Sequence, residues 1–509
     1  MSEAKPEGGQ ARQLVLLTSV FLVAVAGLVY ELIAGTLTTY LLGSSVLAFS
    51  VVIGLFLSAM GLGAFLAQYI KRDLIGAFIN AEIALAAVGG SSALVLFWSF
   101  AILTDGYQLM LGLVCLACGA LVGVEIPLLL RILEERVDLR VAASHVLALD
   151  YAGALLGSLA FPLLLLPQLG LVRAAALLGL MNLGVAAVTQ YILNVRRRGA
   201  QLAMVVIAIA LSAIFIGGGQ ATSWLEDRLY SDPVLLSKTT AYQRVVVTRW
   251  RDDLRMYVEG HLQFSSQDEY RYHEALVHPA MASASERKAI LILGGGDGLA
   301  AREVLKHPGV AEIDLVDLDP AVTDLFSSHP LLTAINEDAL NDDRVTIHNQ
   351  DAIKFLEQAT RRWDVIIMDL PDPNDAALSR LYTVASFRLA SRRLRSGGAL
   401  VSQATSPFYA PEAFWCIVET AREGMASHEI HPYHAQVPSF GEWGFILAAN
   451  QGPSPLVGLE SRRFLTDAVY RSMFDFPVDL APRRVQANHL ADAVLARYYR
   501  DGWMRVQDP

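Results

Sequence analysis

Hydrophobic and polar positions divide this chain near its middle. From about residue 14 to 219 they give seven apolar stretches, 14–34, 46–70, 75–103, 107–130, 145–166, 171–193 and 202–218. Each is at or near the roughly 20 residues a helix needs to cross a bilayer. Beyond residue 220 the runs shorten and become rich in β-formers. Residues 242–250 and 254–259, separated by Arg251-Asp252-Asp253, read as a hairpin that 261–265 extends. From Lys288 onward strands are expected at 289–293, 312–318, 344–348, 364–368 and 399–403, with helical stretches between them and a further strand at 445–449. Such alternation specifies a mostly parallel sheet covered by helices, with ligands gathered at the carboxyl ends of the strands.

The expected organisation is a tail (1–13), a multi-pass α-helical membrane domain (14–219), a connector (220–238), a small β cap (239–287), an α/β Rossmann-like, methyltransferase-type domain (288–450), and a helical C-terminal extension (451–509) broken at Pro477 and Pro482. Composition agrees with this division. The chain is 54% hydrophobic and 18% charged over 509 residues, and its mean hydropathy is +0.40. The first apolar run is long and soon followed by another, unlike a cleaved leader. A net charge of −10 offers no basic surface for nucleic acid. Cys115 and Cys118 lie within one apolar stretch and Cys416 stands apart, so no disulfide framework is expected.

Basic residues give an orientation. Lys5 and Arg12, Lys71 and Arg72, then Arg131, Arg136 and Arg140, then Arg196, Arg197 and Arg198 fall on one side of seven spans, with Arg173 alone on the other. That side is the cytoplasmic one by the excess of positive charge. An odd span number then puts the second half on the opposite face, in tension with a cytosolic substrate. The expected location is the inner membrane. Glu31, Glu82, Glu125 and Asp150 are costly within spans and draw attention as a path for cations. Small-residue spacings such as Gly119/Gly123 and Gly153/Gly157 point instead to helix packing, and anchoring is preferred to transport.

The most informative segment is Ile-Leu-Ile-Leu-Gly-Gly-Gly-Asp-Gly-Leu at 290–299. A strand runs into glycines, Gly294 and Gly296 among them, that let the backbone approach a nucleoside. Asp297 puts a carboxylate where an anion-binding loop keeps only uncharged backbone, so the approaching group is expected to be a cation. Asp317, about 20 residues on, is placed to hold ribose hydroxyls, and Asp351 to receive an adenine amino group. Helix capping is an equal reading for any one of these acids. Asp369-Leu370-Pro371-Asp372-Pro373 holds two carboxylates on a stiffened loop, suited to one amine that must lose a proton and a second ammonium that must be anchored.

Several motifs occur in order: Tyr242-Gln243-Arg244, Glu259-Gly260-His261-Leu262-Gln263, Asp268 to Glu274, His278-Pro279, Gly294 to Gly298, Asp317-Leu318-Asp319-Pro320, Asp369 to Pro373, Leu381-Tyr382, Ser402-Gln403 and Trp443-Gly444-Phe445. Over residues 239–450 this set resembles the spermidine synthase (polyamine aminopropyltransferase) family, and the whole architecture resembles its membrane-bound bacterial type. The resemblance implies transfer of the aminopropyl group of decarboxylated S-adenosylmethionine to putrescine, giving spermidine and methylthioadenosine. It implies Asp369 as proton acceptor, and Asp372, Asp297, Gln263, Tyr272 and His273 as amine-binding residues. Gln243, Gly294, Gly296, Asp317, Asp351 and Ala352 would hold the nucleoside. No cofactor and no metal is expected; the bilayer and a homo-oligomeric partner are. Leu299 and Asp317 stand where the family has a glycine and a glutamate. The competing readings are an S-adenosylmethionine-dependent methyltransferase on the same fold and a non-catalytic polyamine sensor or transporter.

Overall fold

A computed structural model describes residues 7–507 apart from 43–45, 103–105, 135–137, 196, 231, 241 and 457–461. Lys5, Arg136 and Arg196 of the basic pattern lie outside the described residues. The chain separates into two compact units, Met1–Val234 and Leu235–Pro509, so the division falls inside the expected connector.

The first unit is helical: α1 (Glu7–Leu42), α2 (Val46–Leu66), α3 (Leu74–Ile102), α4 (Tyr107–Glu134), α5 (Leu139–Ala160), α6 (Leu166–Ile192) and α7 (Arg198–Leu229). Among the described residues six helices are long and apolar enough to cross a membrane, and one of these, Leu139–Ile192, runs 54 residues. Straight, it would measure about 80 Å, far beyond a bilayer. It is not straight. A π-helical turn at Phe161–Leu165 precedes Gly170, whose φ of 71° and ψ of 175° interrupt the helix. Val146 near its start and Val185 near its end share one apolar cluster with Leu16 and Leu128, so the chain doubles back. Divided at Gly170, the six continuous helices correspond to seven apolar segments.

Close backbone approach explains the small residues. A methyl group on Gly123 would lie 2.0 Å from the Met60 carbonyl oxygen, and one on Gly153 2.4 Å from that of Phe21. These positions seat α4 on α2 and α5 on α1. The basic loops meet at one end of the unit: Arg131 donates to the carbonyl oxygens of Ala67 and Ile70, and Arg197 pairs with Asp73. Leu57, Leu109, Leu163, Ile209 and Ile216 stand exposed on the outside.

The second unit begins with a four-stranded sheet of β1 (Val234–Thr239), β2 (Arg244–Trp250), β3 (Asp253–Val258) and β4 (His261–Ser265), in that order. The hairpin around Arg251 and its extension are present as expected; β1, in the expected connector, is an additional edge strand. Helix α8 (Glu269–Ser283) leads to β5 (Ala289–Gly294), α9 (Leu299–Leu305), β6 (Glu312–Asp317), α10 (Pro320–Ser328), α11 (Pro330–Thr333), β7 (Val345–Asn349), α12 (Ala352–Gln358), β8 (Trp363–Asp369), α13 (Ala376–Ser379), α14 (Val384–Arg392) and β9 (Leu394–Gln403). Then come α15 (Pro411–Gly424), β10 (Glu429–Val437), β11 (Gly441–Ala449), α16 (Asp467–Ser472) and α17 (Val494–Gln507). The seven strands run in the order β10-β11-β9-β8-β5-β6-β7. Five are mutually parallel, while β11 and β10 add antiparallel.

The sheet is buried on both faces, which explains why its central strands are unbroken apolar runs. Ile290 and Ile292 enter one core and Ala289, Leu291 and Leu293 the other. Two expectations change. Strand β10 was not anticipated, because Pro432 interrupts its pattern; the strand lies at the sheet edge, where proline is tolerated. The C-terminal extension is not mainly helical. Among its described residues helix occupies only Asp467–Ser472, a short 3-10 turn at Val478–Leu480, and Val494–Gln507. The rest is held in place by side chains: Glu274 of α8 accepts from the backbone N–H groups of Arg463, Phe464 and Leu465 at 2.6, 3.0 and 2.9 Å.

Candidate active site

Strand order places β5 between β8 and β6, so three carboxyl ends converge where the sheet changes direction of growth. Register sets Gly294 beside Asp369. Gly294 turns the chain with a φ of 83°, and a methyl group there would sit 1.9 Å from the Asp369 carbonyl oxygen. The next turn brings the Gly296 N–H onto Asp317 at 3.1 Å, and Asp317 also accepts from Asp319 N at 2.9 Å. Burial pushes the Asp317 carboxyl up to about 6 despite these bonds.

Asp297 follows. One of its oxygens caps α9 through Leu299 N at 3.0 Å. Atoms of Asp297, Asp369 and His273 lie within 4.8 Å of one another. Burial raises Asp297 to about 6; His273 opposes the shift and Asp369 adds to it. His273 is itself buried, which disfavours its charge, but its Nδ1 lies 2.9 Å from the Glu269 carboxylate and the balance brings the imidazole to about 9. The Glu269 carboxylate thus favours the charged form of an imidazole seated between acids. Glu269 is held in turn by Arg302, which donates to both its oxygens at 2.9 Å.

Asp369 accepts from the Tyr272 hydroxyl at 2.8 Å. Its carboxyl is raised by burial, with His273 and Tyr272 opposing. Asp372 accepts from Tyr499 at 2.9 Å, Thr405 at 3.3 Å and Gln403 at 3.4 Å. These are three neutral donors, and burial leaves the carboxyl at about 6. The loop carrying both acids is braced by Tyr382, whose hydroxyl donates to the carbonyl oxygens of Leu370 and Pro371 at 3.0 Å. Gln403 donates to the Leu370 carbonyl at 2.8 Å. Phe440, Trp443 and Phe445 surround the Tyr272 ring at 5.4–6.5 Å. Aromatic faces beside carboxylates suit an alkylammonium chain.

The predicted residues therefore divide. Tyr272, His273, Asp297 and Asp369 form one cluster, joined through the glycine loop to Asp317. Asp372 is three residues from Asp369 on the braced loop. Gln243 sits at the same edge as Asp317: its carbonyl accepts from Thr240, whose hydroxyl donates to Asp319 at 2.7 Å. Asp351 caps α12 through Ile353 N and Lys354 N and pairs with Arg380, with Ala352 as the first helical residue. This is the capping geometry that the sequence also allowed. Gln263 donates to His261 O at 3.1 Å, and among the described residues no hydrogen bond joins it to these acids. Glu442, beside Trp443, is engaged by His434. Sequence reading missed Tyr499, Thr405 and the Glu269–Arg302 pair.

A methyltransferase-type sheet whose glycine loop carries a carboxylate, facing a second carboxylate pair and an aromatic wall, defines an enzyme that brings a nucleoside-bearing cation to an amine. Residues 269–459 match the model of the spermine/spermidine synthase domain. The chain is 42% identical over 505 residues to a polyamine aminopropyltransferase of Leptospira interrogans, covering 97% of this chain and 100% of that one. It is 44% identical over 516 residues to polyamine aminopropyltransferase 1 of Ralstonia nicotianae (99% and 98%), and 39% identical to the enzyme of Mycobacterium tuberculosis (96% and 96%). The chain belongs to the spermine/spermidine synthase family, and these relatives match its helical half as well. Among solved structures it is similar to a spermidine synthase in complex with the transition state analogue AdoDATO (TM-score 0.45, 23% identity, 48% of this chain and 85% of that one). It is also similar to spermidine synthase from Thermotoga maritima (TM-score 0.44, 24% identity, 48% and 84%).

Proposed function

We propose that this chain is a membrane-anchored polyamine aminopropyltransferase in which three carboxylates divide the work of transferring the aminopropyl group of decarboxylated S-adenosylmethionine to putrescine. The observation that carries the assignment is the clustering of Asp297 with Asp369 and His273 at the end of β5. Asp297 faces the amine of the donor's three-carbon arm. A donor that kept its carboxylate would meet a like charge there, so the same residue selects against S-adenosylmethionine.

The reaction is a direct displacement. The amine nitrogen bonds to the carbon beside the sulfonium, the carbon–sulfur bond breaks, and the neutral thioether leaves as methylthioadenosine. An alkylammonium with a pKa near 10.4 is almost fully protonated at neutral pH and cannot attack. Asp369 takes the proton, while Tyr272 fixes its carboxylate. Asp372 anchors the far ammonium, and alignment supplies much of the remaining acceleration. Asp317 and Gln243 hold the ribose side.

The helical half anchors the enzyme. Support comes from the length and apolar composition of its helices and from apolar side chains standing on its outer surface. The test is methylthioadenosine release by the purified full-length chain with decarboxylated donor and putrescine. Asp369→Asn is expected to lower kcat by 100-fold or more with intact donor binding; normal turnover by that variant removes the role assigned to Asp369.

A further inference from the structure

The segment beyond residue 459 lies outside the region matched by the family domain, yet it reaches the amine end of the site. Three anchors fix it. Asn488, fully buried, donates to the carbonyl oxygens of Ser379 and Tyr382 at 2.9 Å, the latter residue being the brace of the Asp369–Asp372 loop. Trp415 donates to Leu480 O at 3.2 Å. Along α17, Trp503 stacks on Tyr409 with ring centres 4.9 Å apart, and Gly502 packs so tightly that a methyl group there would stand 2.7 Å from Ala410 Cα. One turn earlier on the same helix, the buried Tyr499 donates its hydroxyl to Asp372 at 2.9 Å.

We infer that the C-terminal segment sets which amine this enzyme accepts, with Tyr499 as the specificity-determining residue at the far end of the acceptor's path. The inference rests on the reading of Asp372 as the anchor for the distal ammonium. Its chemistry follows from the partners on the page. Asp372 has hydroxyl and amide donors and, among the described residues, no arginine or lysine hydrogen-bonded to it, so its charge is retained for an incoming cation. A phenol that donates to the carboxylate still has a lone pair with which to accept from an ammonium. Its ring, fixed by α17, is a wall that an acceptor with a longer carbon spacing must strike. Of the groups holding Asp372, Gln403 and Thr405 belong to the sheet and its exit, whereas Tyr499 comes from a separate segment, the C-terminal helix.

The test is steady-state kinetics of the full-length enzyme with putrescine, cadaverine and spermidine as acceptors. Tyr499→Phe is expected to raise the putrescine KM about tenfold while kcat and the donor KM stay within twofold. Tyr499→Ala is expected to raise the cadaverine-to-putrescine ratio of kcat/KM at least tenfold. An unchanged acceptor KM and ratio in both variants overturns the inference, and so does a parallel loss of kcat and donor binding, which is what a purely structural role gives. Asp372→Asn separates the two levels. If it leaves the putrescine KM unchanged, the anchor reading falls and this inference with it; if it raises that KM and Tyr499→Phe does not, only the inference falls.

Discussion

At the scale of single residues the site is a problem of keeping carboxylates charged in a half-buried place. Asp297, Asp317 and Asp372 are each pushed to about 6. Asp297 and Asp372 must be ionised to bind cationic amines, and Asp317 to accept from both ribose hydroxyls, so kcat/KM is expected to fall as pH drops below about 6, more steeply than one protonation gives. Because folding raises these values above those of a free carboxyl, the folded protein binds more protons than the unfolded one between about pH 4 and 6. The three acids therefore oppose stability at neutral pH and cease to do so as pH falls through that window. Asp372→Asn is accordingly expected to raise Tm by a few degrees while weakening acceptor binding, as a thermal melt with parallel kinetics will show. His273 works the other way. Its positive charge lowers Asp297 and Asp369, so His273→Gln is expected to move the acid limb of the pH profile to higher pH; an unmoved limb contradicts the role of the imidazolium.

At the scale of elements the decisive features are the strand ends. They were legible because a strand covered on both faces must be a continuous apolar run, and the first polar residue after it marks the edge where ligands bind. Ile290 to Leu293 followed by Gly294, and Val365 to Met368 followed by Asp369, are the clearest cases. Gly294→Ala is expected to cost roughly 2–4 kcal/mol, read as a lowered midpoint in denaturant, because a side chain would have to occupy the left-handed region against the Asp369 carbonyl. Strand β10 was hidden by Pro432. Tyr499 was hidden for another reason: it lies 127 residues from Asp372 in the chain, and such a pairing leaves no local pattern. A weaker signal was available, since Val494, Leu495, Tyr499 and Gly502 recur at helical spacing and mark the buried face of α17. Asp351 shows the opposite lesson, for acid at a strand end serves equally as a cap.

At the scale of the whole molecule the chain joins an apolar helical unit to an acidic catalytic one. The helical count depends on Gly170, where local backbone geometry decides whether one long helix or two segments exist. If the proposed anchoring uses seven crossings, the N-terminus and the catalytic half are expected on opposite faces of a bilayer. Protease protection of terminal tags in sealed vesicles is expected to shield one end at a time; simultaneous cleavage of both tags in intact vesicles indicates an even number of crossings. Within the helical unit Glu82 and Glu125 are fully buried, and their carboxyl oxygens have no hydrogen-bond partner among the described residues. Glu82→Gln with Glu125→Gln is expected to leave aminopropyl transfer within twofold, because the chemistry resides in the other unit. The selection proposed for Asp297 is of a donor stripped of its carboxylate. It is tested most directly by offering the full-length enzyme and its Asp297→Asn variant decarboxylated and intact S-adenosylmethionine together, and resolving the products by mass. The parent is expected to add only aminopropyl groups to putrescine, and the variant to lose at least tenfold of its preference in donor binding; methylated amine from the parent, or an unchanged preference in the variant, overturns the role of Asp297.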